Sequence, residues 1–434
     1  MLSKTPPTKQ FLLIRAGRLI DSVADKPILN GAVLIQGSTI IGVGPANSVQ
    51  VPEGASAEVF EFPGKTLMPG MVDCHTHHNG FGDGTTGETL GDMPDDILAL
   101  QSARNARASL FTGVTTIREN GPKSYTMLRF REAVEAGMTQ GPKTVLCGWP
   151  VAIVGGHMWY FGGQATGKKE VRTMVRQLVE QGADYIKVTA TGGTTATSYQ
   201  LLPSFNVEEL TALAETAHDL GRLTAAHCTS TQGIVNALDA GIDMIIHCFF
   251  READGAWHFR EDIAERIGKQ GVFVNPTLHV QRSVPWALQH KKKDQALTKQ
   301  EENLLDMRWR SYETNMEDSR RMAEMGLKLI TGSDSSWNDY KLGNTVYEVE
   351  QLVEVGYSPM KAVKSVTSDA AKALEVHHTV GSLEVGKEAD IIIVDGDPSK
   401  DVSALWNVHE VFLAGKRVER GSEQSLASFH QYPP

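Results

Sequence analysis

The sequence predicts an α/β protein built on a (β/α)₈ barrel of the TIM type, with a small β-sandwich domain formed by both chain ends. Three observations lead to this prediction. Eight apolar, strand-like runs alternate with helix-patterned stretches between residues 65 and 375. These runs lack apolar-polar alternation, as parallel strands do when helices cover them. Short β-rich segments separated by turn residues precede and follow this region, which favours a smaller antiparallel domain.

The predicted elements follow one another in a regular order. Residues 1–64 carry four β-rich runs and are predicted to be the N-terminal part of the sandwich. Strand-turn patterning returns in residues 376–434, which are predicted to complete it. The candidate barrel strands are 66–75, 114–117, 144–147, 185–189, 223–227, 244–247, 272–275 and 327–331. The clearest candidate helices are 95–111, 168–181, 207–220, 299–325 and a helical segment around 358–374.

An open doubly wound sheet is the alternative to a barrel. Such a sheet would carry a glycine-rich phosphate-binding turn after its first strand, whereas histidines follow the first strand here. The stretch 281–298, which contains three consecutive lysines, is predicted to be a surface excursion.

Composition narrows the class of protein. With 41% hydrophobic and 22% charged residues, the chain is typical of a globular protein with a large core. A net charge of −10 without any basic block argues against nucleic acid or a membrane as partner. The first ten residues lack the apolar stretch of a signal peptide, so we expect a cytoplasmic protein. Three of the four cysteines, Cys74, Cys228 and Cys248, adjoin histidines in strand-like segments and are expected to be small buried thiols.

The first barrel strand ends in a pair of histidines suited to metal binding. His75 and His77 are two residues apart, so on an extended backbone they project to the same side and can bind one ion. Further candidate ligands lie at the carboxyl ends of later strands, where barrel enzymes keep their active sites. They are Lys187, His227, His247 and Asp334. One such histidine alone would be a hydrogen-bonded structural residue more often than a ligand, but the whole set predicts a metal centre.

Lys187 is the unusual member of this set, because an ammonium group is a poor metal ligand and is unfavourable in an apolar barrel. If CO₂ has added to the amine, the resulting carbamate is anionic and its two oxygens can bridge two cations. A lysine paired with a nearby carboxylate is the alternative. Spacing in the sequence leaves both open.

The same residues resemble the amidohydrolase superfamily, in its urease-related branch with a binuclear metal centre. The matching pieces are residues 69–77, Lys187 within 185–188, His227, His247, Asp334 within 332–334, and the segment from Gly381 to Asp390. The Gly155-Gly156-His157 motif and the run from Lys187 to Gly193 resemble, more narrowly, the prolidase-like and imidazolonepropionase-related metal carboxypeptidases. That group also includes ochratoxin- and phenylurea-hydrolysing enzymes.

The resemblance implies a specific site with two divalent cations, expected to be zinc. His75, His77 and Asp334 would hold the more buried ion and His227 and His247 the more exposed one, with carboxylated Lys187 and a hydroxide between them. Asp334 would accept the proton of the hydroxide and pass it to the leaving amine. His157 would contact the substrate carbonyl or its carboxylate, and Tyr199 could donate to the oxyanion. His279 is a further candidate for the pocket lining. Arg118, Arg251 and Trp257 are loop residues able to bind a carboxylate or a ring, each equally compatible with a structural role.

The function predicted on this basis is metal-dependent hydrolysis of an amide-type C–N bond, in an N-acyl amino acid, a dipeptide or a related xenobiotic amide. A urea or carbamate hydrolase of the same mechanism is one alternative. A deaminase or imidazolonepropionase-like cyclic imidate hydrolase is another; such enzymes usually use one metal and need no bridging lysine. A catalytically silent scaffold is disfavoured by the complete ligand set. The resemblance also implies a small-molecule substrate and a homo-oligomer.

Overall fold

The computed structural model describes residues 11–420. Its strands are β1 (Phe11–Leu19), β2 (Ile28–Gln36), β3 (Thr39–Pro45), β4 (Ala57–Pro69), β5 (Met71–Thr76), β6 (Val114–Glu119), β7 (Lys143–Leu146), β8 (Tyr185–Val188), β9 (Leu223–Cys228), β10 (Met244–His247), β11 (Phe273–Asn275), β12 (Lys328–Leu329), β13 (Ile391–Val394), β14 (Val408–Leu413) and β15 (Lys416–Arg417).

The helices follow the same chain order. They are α1 (Gly87–Asp92), α2 (Asp95–Phe111), α3 (Thr126–Glu135), α4 (Gly167–Glu180), α5 (Val207–Asp219), α6 (Thr231–Asp239), α7 (Glu261–Gln270), α8 (Leu278–Asp294), α9 (Lys299–Glu324), α10 (Val346–Glu354), α11 (Pro359–Ser365) and α12 (Ser368–Ala373), with short 3₁₀ helices at Trp159–Phe161 and Val402–Trp406. None of the helices in the described part of the chain has both the length and the apolar character needed to cross a membrane.

The described chain divides into two compact units. The first contains residues 11–72, 110–115 and 358–420, and the second contains 73–109 and 116–357. The domain boundaries at 64 and 375 stay a prediction, and the compact units divide instead near residues 72 and 357.

The first unit is organised around one seven-stranded sheet in the order β15-β14-β13-β4-β1-β2-β3. Strands from the two ends of the chain meet where β13 pairs antiparallel with β4. Neighbouring residues of β1 pack on opposite faces, since Leu13 and Ile14 belong to different buried clusters. Both chain ends therefore build one sheet that is covered on both faces; a second separate sheet is not seen among the described residues, and the sandwich stays a prediction.

The second unit contains the helices and strand ends that carry the predicted site. Strands β8 to β12 form a five-stranded sheet in chain order, with every pairing parallel, and β5, β6 and β7 form a three-stranded sheet. Isolated parallel bridges join Thr76 to Ser335 and Val151 to Val188. Strands are thus present at all eight predicted positions, the first of them divided at Gly70 between β4 and β5, while closure into a single barrel stays a prediction.

Local sequence explains where the helices begin and end. Asn206 and Thr298 each form a capping box, with Glu209 and Glu301 respectively, which satisfies the free N–H groups at the start of α5 and α9. Gly271 ends α7 in a left-handed conformation, which glycine adopts without steric penalty. Most of the stretch 281–298, predicted to be a surface excursion, belongs to helix α8, and residues 292–296 at its end are exposed.

Candidate metal centre

The six predicted metal ligands line one cavity of about 280 Å³ in the second unit. They are His75, His77, Lys187, His227, His247 and Asp334. Lys187, His227 and His247 lie in the last two residues of β8, β9 and β10, and His75 lies near the end of β5. Asp334 follows β12. Parallel strands bring their carboxyl ends to the same edge of a sheet, which is why residues far apart in the sequence meet here.

Three of these groups form a tight cluster. The Nε2 atoms of His75 and His77 are 3.1 Å apart, and each lies 3.2 Å from Oδ1 of Asp334. Two imidazole nitrogens and one carboxylate oxygen form a donor set that suits zinc and its first-row neighbours. The Nδ1 atom of His77 is buried and has no hydrogen-bond partner. The cluster therefore fits one divalent cation bound on the Nε2 side.

The tautomer of His75 is fixed by Asn275. The Nδ2 group of Asn275 donates to the carbonyl oxygens of Ile330 and Gly332, so its Oδ1 faces Nδ1 of His75 at 2.9 Å. A carbonyl-type oxygen can only accept, so Nδ1 of His75 carries the proton and Nε2 presents a lone pair to the cluster. A hydrogen-bond partner of this kind is what orients a metal-binding histidine.

His227 and His247 form a second pair. Nε2 of His227 donates to the carbonyl oxygen of Gly192 at 3.1 Å, which leaves Nδ1 of the neutral ring with a lone pair. That Nδ1 lies 2.9 Å from Nε2 of His247, whose Nδ1 in turn contacts the Thr277 hydroxyl at 2.7 Å. Nδ1 of His227 and Nε2 of His247 thus face each other, while the other nitrogen of each ring contacts Gly192 or Thr277. This arrangement also fits a cation between the rings.

The two pairs of histidines are close enough to belong to one centre. The rings of His75 and His247 are 5.8 Å apart between centroids, and Oδ2 of Asp334 lies 3.9 Å from Nδ1 of His247. Lys187 is 1% exposed and lines the same cavity. Within residues 11–420 no carboxylate lies within salt-bridge distance of its amine, and the Asp334 carboxylate is the acidic group that acts on it electrostatically.

Burial controls the protonation of these groups. Desolvation lowers the pKa of Lys187 to about 7, partly opposed by the Asp334 carboxylate. It also lowers the pKa of His247 to about 4, again opposed by Asp334, and holds the pKa values of His75 and His227 well below the ordinary range. At neutral pH these three imidazoles are neutral, which is the form that binds metal.

Backbone strain is concentrated at the same place. His247, Thr277 and Asp334 have φ angles of 67°, 50° and 55°, in the left-handed region that non-glycine residues seldom occupy. Each such residue is unfavourable by about 1–3 kcal/mol and persists only where surrounding contacts enforce it. The strain is typical of a functional site.

Asp73 connects the two segments that supply the first cluster. Its Oδ1 accepts from the backbone N–H groups of His75 and Ser333, at 3.1 and 3.0 Å, and its Oδ2 accepts from the Thr345 hydroxyl at 2.7 Å. Burial raises the pKa of this carboxyl, and the hydrogen bonds oppose that rise. Asp73 was not among the predicted site residues, although its position two residues before His75 places it next to the site.

His157 lines the cavity, as predicted for a substrate-contacting residue. Its ring centroid is 4.6 Å from that of His227, and its Nδ1 lies 2.9 Å from the Thr195 hydroxyl. Gly193 approaches so closely that a Cβ there would lie 2.4 Å from the His157 ring. Burial is the main reason why the pKa of His157 is lowered to about 3, so the ring is neutral and its Nε2 remains available to a substrate.

Tyr199 does not line the cavity. Its side chain is 60% exposed. The oxyanion-donor role predicted for Tyr199 therefore has no geometric support. Tyr199 follows β8 closely in the sequence, but the loop turns its side chain towards solvent.

The remaining pocket candidates separate into two groups. Arg251 and Trp257 line the cavity. His279 stacks on Tyr347 at 4.4 Å between centroids, and Arg118 donates to the carbonyl of Cys74; neither is part of the cavity lining, so both are structural.

Sequence reasoning missed several lining residues. Helix α8 contributes Gln281 and Val284, and helix α9 contributes Arg308 and Ser311. These residues carry no motif. The capping box of α9 predicts where that helix begins, but it does not indicate which face of the helix lines the cavity.

A fold of parallel strands that gathers imidazole and carboxylate groups at its strand ends is characteristic of metal-dependent hydrolases. Residues 66–418 match the amidohydrolase family, and the chain therefore belongs to that family and is a hydrolase.

Two curated relatives and one solved structure span most of the chain. Ochratoxinase from Aspergillus niger is 26% identical over 93% of this chain and 86% of its own length. Imidazolonepropionase from Geobacillus kaustophilus is 22% identical over 90% of both chains. The crystal structure of a Xaa-Pro dipeptidase with bound methionine in the active site superposes with a TM-score of 0.79 and 27% identity, covering 94% of this chain and all of that one.

Proposed function

We propose that this hydrolase uses two divalent metal ions, expected to be zinc, to cleave an amide-type C–N bond in an N-acyl amino acid, a dipeptide or a related xenobiotic amide. One observation carries the proposal. Six buried groups with the right donor chemistry face a single cavity, and the ring nitrogens of His75 and His227 present lone pairs to it. Imidazole, amine and carboxylate groups buried this close together are unfavourable unless cations occupy the space between them.

Each ligand has an assigned place in this proposal. His75, His77 and Asp334 would hold one ion, and His227 and His247 would hold the other. Lys187, as a carbamate, would supply an anionic oxygen ligand; its lowered pKa makes the neutral amine that reacts with CO₂ accessible near pH 7. When bound, the two cations lower the pKa of a water molecule and polarise the scissile carbonyl.

The protein side chains supply proton transfer and orientation. Asp334 takes the proton of the attacking water and returns it to the leaving nitrogen. Nδ1 of His157 lies 2.9 Å from the Thr195 hydroxyl; with the proton on Nε2, the ring would donate to the carbonyl oxygen as negative charge develops there. The neutral state of His157 at physiological pH follows from its lowered pKa.

The relatives support an amide bond as the target. One is named for its action on ochratoxin, and the solved structure is that of a Xaa-Pro dipeptidase with an amino acid in its active site. A dipeptide or N-acyl amino acid has the C–N bond that the residues described above would cleave.

The proposal is tested by metal counting and a hydrolysis screen. Protein loaded with zinc in bicarbonate should contain two metal ions per chain and hydrolyse a member of a panel of N-acyl amino acids, dipeptides and aryl ureas. His227→Ala should retain one ion and lose turnover, whereas the control His218→Ala, at an exposed residue paired with Asp243, should match the wild type. Equal metal content and turnover in the His227→Ala variant would refute the proposal.

A hydrolase with a single metal ion is the second candidate. It is favoured by the compact cluster of His75, His77 and Asp334, which could hold one ion alone, and by the imidazolonepropionase relative. In that case one ion per chain is expected, and Lys187→Met should keep both the ion and activity on a cyclic amide substrate.

A further inference from the structure

The cavity has two arginines in its wall whose charges are not used by the proposed metal chemistry. Arg251 lies four residues after β10, and Arg308 lies in α9. Within residues 11–420 neither forms a salt bridge with a carboxylate. Their positive charges repel each other. Partial burial is the main cause of the lowered pKa of Arg251, and the charge of Arg308 is the second. Two neighbouring cations without a counterion favour an anion from outside the chain.

Arg251 is held in position by neutral neighbours. Its Nη1 donates to Oε1 of Gln200 at 3.2 Å, and its guanidinium carbon lies 5.4 Å from the centre of the Trp257 ring. Its Nε atom is buried and has no hydrogen-bond partner. A guanidinium has five N–H donors in a fixed planar arrangement, so most of them remain available to a ligand.

The same arginine is connected to a metal ligand through a short chain of hydrogen bonds. The Thr229 hydroxyl contacts the carbonyl oxygens of Gln200 and Gly192, at 2.9 Å each. The Gly192 carbonyl also accepts from Nε2 of His227. Gln200, which holds Arg251, is therefore fixed to the loop that orients His227, so the guanidinium has a defined position relative to the metal centre.

An apolar surface lies between the metal centre and Arg251. The Phe249 ring is 5.6 Å from that of His247 and 5.4 Å from that of Trp257, measured between centroids. Both aromatic residues line the cavity. A ligand that reached from the metal centre to the guanidinium would lie along these rings.

We propose that Arg251, with Arg308 beside it, binds a free carboxylate of the substrate, while Phe249 and Trp257 contact an apolar side chain next to that carboxylate. The inference rests on the proposed function and narrows its substrate class to N-acyl derivatives of apolar amino acids. The planar guanidinium matches a carboxylate through two parallel hydrogen bonds. A neutral amide without the carboxylate would leave both arginines without an anion.

A pair of matched substrates tests this inference. N-benzoyl-leucine carries the carboxylate, and N-(3-methylbutyl)benzamide has the same scissile bond and side chain without it. For the wild type, kcat/KM should favour the acid. Arg251→Met should lower kcat/KM for the acid by about 10- to 100-fold, the usual range for losing a hydrogen bond to a charged group, mainly through KM, and change the value for the neutral amide little. Arg260→Met, at an exposed arginine paired with Asp262, is the matched control.

A binding measurement separates this inference from the proposed hydrolysis. Calorimetric titration of N-benzoyl-leucine into metal-free protein should show weaker binding by about the same factor in Arg251→Met, with partial recovery in Arg251→Lys because the charge is kept. Arg308→Met should weaken binding less, since its side chain is exposed. If the wild type binds the acid but hydrolyses neither compound, the proposed function fails and this inference stands. If both arginine variants bind and discriminate like the wild type, this inference is wrong whatever the hydrolysis results.

Discussion

At the scale of single residues, the proposed binuclear centre depends most on Lys187. Its amine is almost completely buried, forms no salt bridge in the described part of the chain, and has a pKa lowered to about 7 by desolvation, which the Asp334 carboxylate partly opposes. An ammonium at that position would repel the cations that the histidines attract. In the proposed centre a carbamate would reverse the sign of this charge, which would account for a lysine among the proposed metal ligands.

The first prediction follows from this change of sign. Lys187→Ala should reduce the metal content from two ions per chain to one or none and lower kcat by about 1,000-fold or more, because activation of water by metal ions provides much of the rate in such sites. Added propionate should restore part of the activity by placing a carboxylate in the vacated space. Lys269→Ala, at an exposed lysine, is the control. Two ions and a normal rate in the Lys187→Ala variant would contradict the carbamate assignment.

A second residue-scale prediction concerns the orientation of His75. Asn275→Ala removes the acceptor that fixes the proton of His75 on Nδ1, so zinc affinity should fall by about 10- to 100-fold, the usual effect of losing such a partner. Asn236→Ala is a matched control, because that asparagine is also buried and donates to a backbone carbonyl, that of Phe205. Competition with a chromogenic chelator measures both affinities. Equal affinities in the two variants would show that Asn275 does not orient the ligand.

At the scale of elements, the site depends on how strand β5 is tied to the segment after β12. Asp73 makes this connection by accepting the N–H groups of His75 and Ser333. Backbone donors that lose their only acceptor inside a protein are unfavourable by about 1–3 kcal/mol each. Asp73 therefore has a structural role on which the metal ligands depend.

The corresponding prediction uses two substitutions at one position. Asp73→Ala should lower the free energy of unfolding by about 2–5 kcal/mol, because two buried N–H groups lose their acceptor. Asp73→Asn should be tolerated much better, since its side-chain oxygen can still accept both bonds and the Thr345 hydroxyl can reorient towards the amide. Urea unfolding of the zinc-loaded proteins compares the two. If Asn is as damaging as Ala, the negative charge and not the acceptor geometry is what matters.

The elements show what the sequence could and could not predict. Continuous apolar runs and helix caps were enough to place strands β8 to β12 and helices such as α5 and α9, because these signals are local. Helix α8 was missed because Pro285 lies inside it and three lysines lie in its last turn, which together are typical of an irregular surface segment.

The sequence predicts only the part of the site that lies at strand ends. The proposed metal ligands end or follow strands, and strand ends converge in any parallel sheet, so the spacing of strands was enough to predict that His75, His227 and Asp334 lie together. Arg308 reaches the cavity through the packing of α9, and Tyr199 leaves it through the path of a loop. Both outcomes depend on long-range contacts that residue spacing does not contain.

At the scale of the whole molecule, the groups that form the site lower the free energy of unfolding. Buried imidazoles, strained φ angles at His247 and Asp334, and a desolvated lysine are all tolerated because the surrounding core holds them. Metal ions that bind only the folded chain should return stability, by about 4 kcal/mol when the free ion is at 1,000 times its dissociation constant.

The last prediction is the pH dependence of the metal-free protein. The pKa of Lys187 is about 7 in the folded chain against an ordinary value of 10.5. Between these values the unfolded chain binds a proton that the folded chain does not, so the free energy of unfolding should rise with pH from about 7 to 10 through this group. Below pH 7 the lysine is charged in both states, and the full desolvation penalty opposes folding.

Lys187→Met removes this contribution while keeping an apolar side chain of similar length. In CO₂-free buffer with chelator, urea unfolding at pH 7, 8.5 and 10 should give a steeper rise of stability for the wild type than for the variant. The difference between pH 7 and 10 should be about 3–4 kcal/mol, at 1.36 kcal/mol for each pH unit. The exposed control Lys269→Met should follow the wild type. If wild type and Lys187→Met rise in parallel, the lysine keeps its ordinary pKa in the folded chain, and the neutral amine needed for carbamate formation would not be accessible at physiological pH.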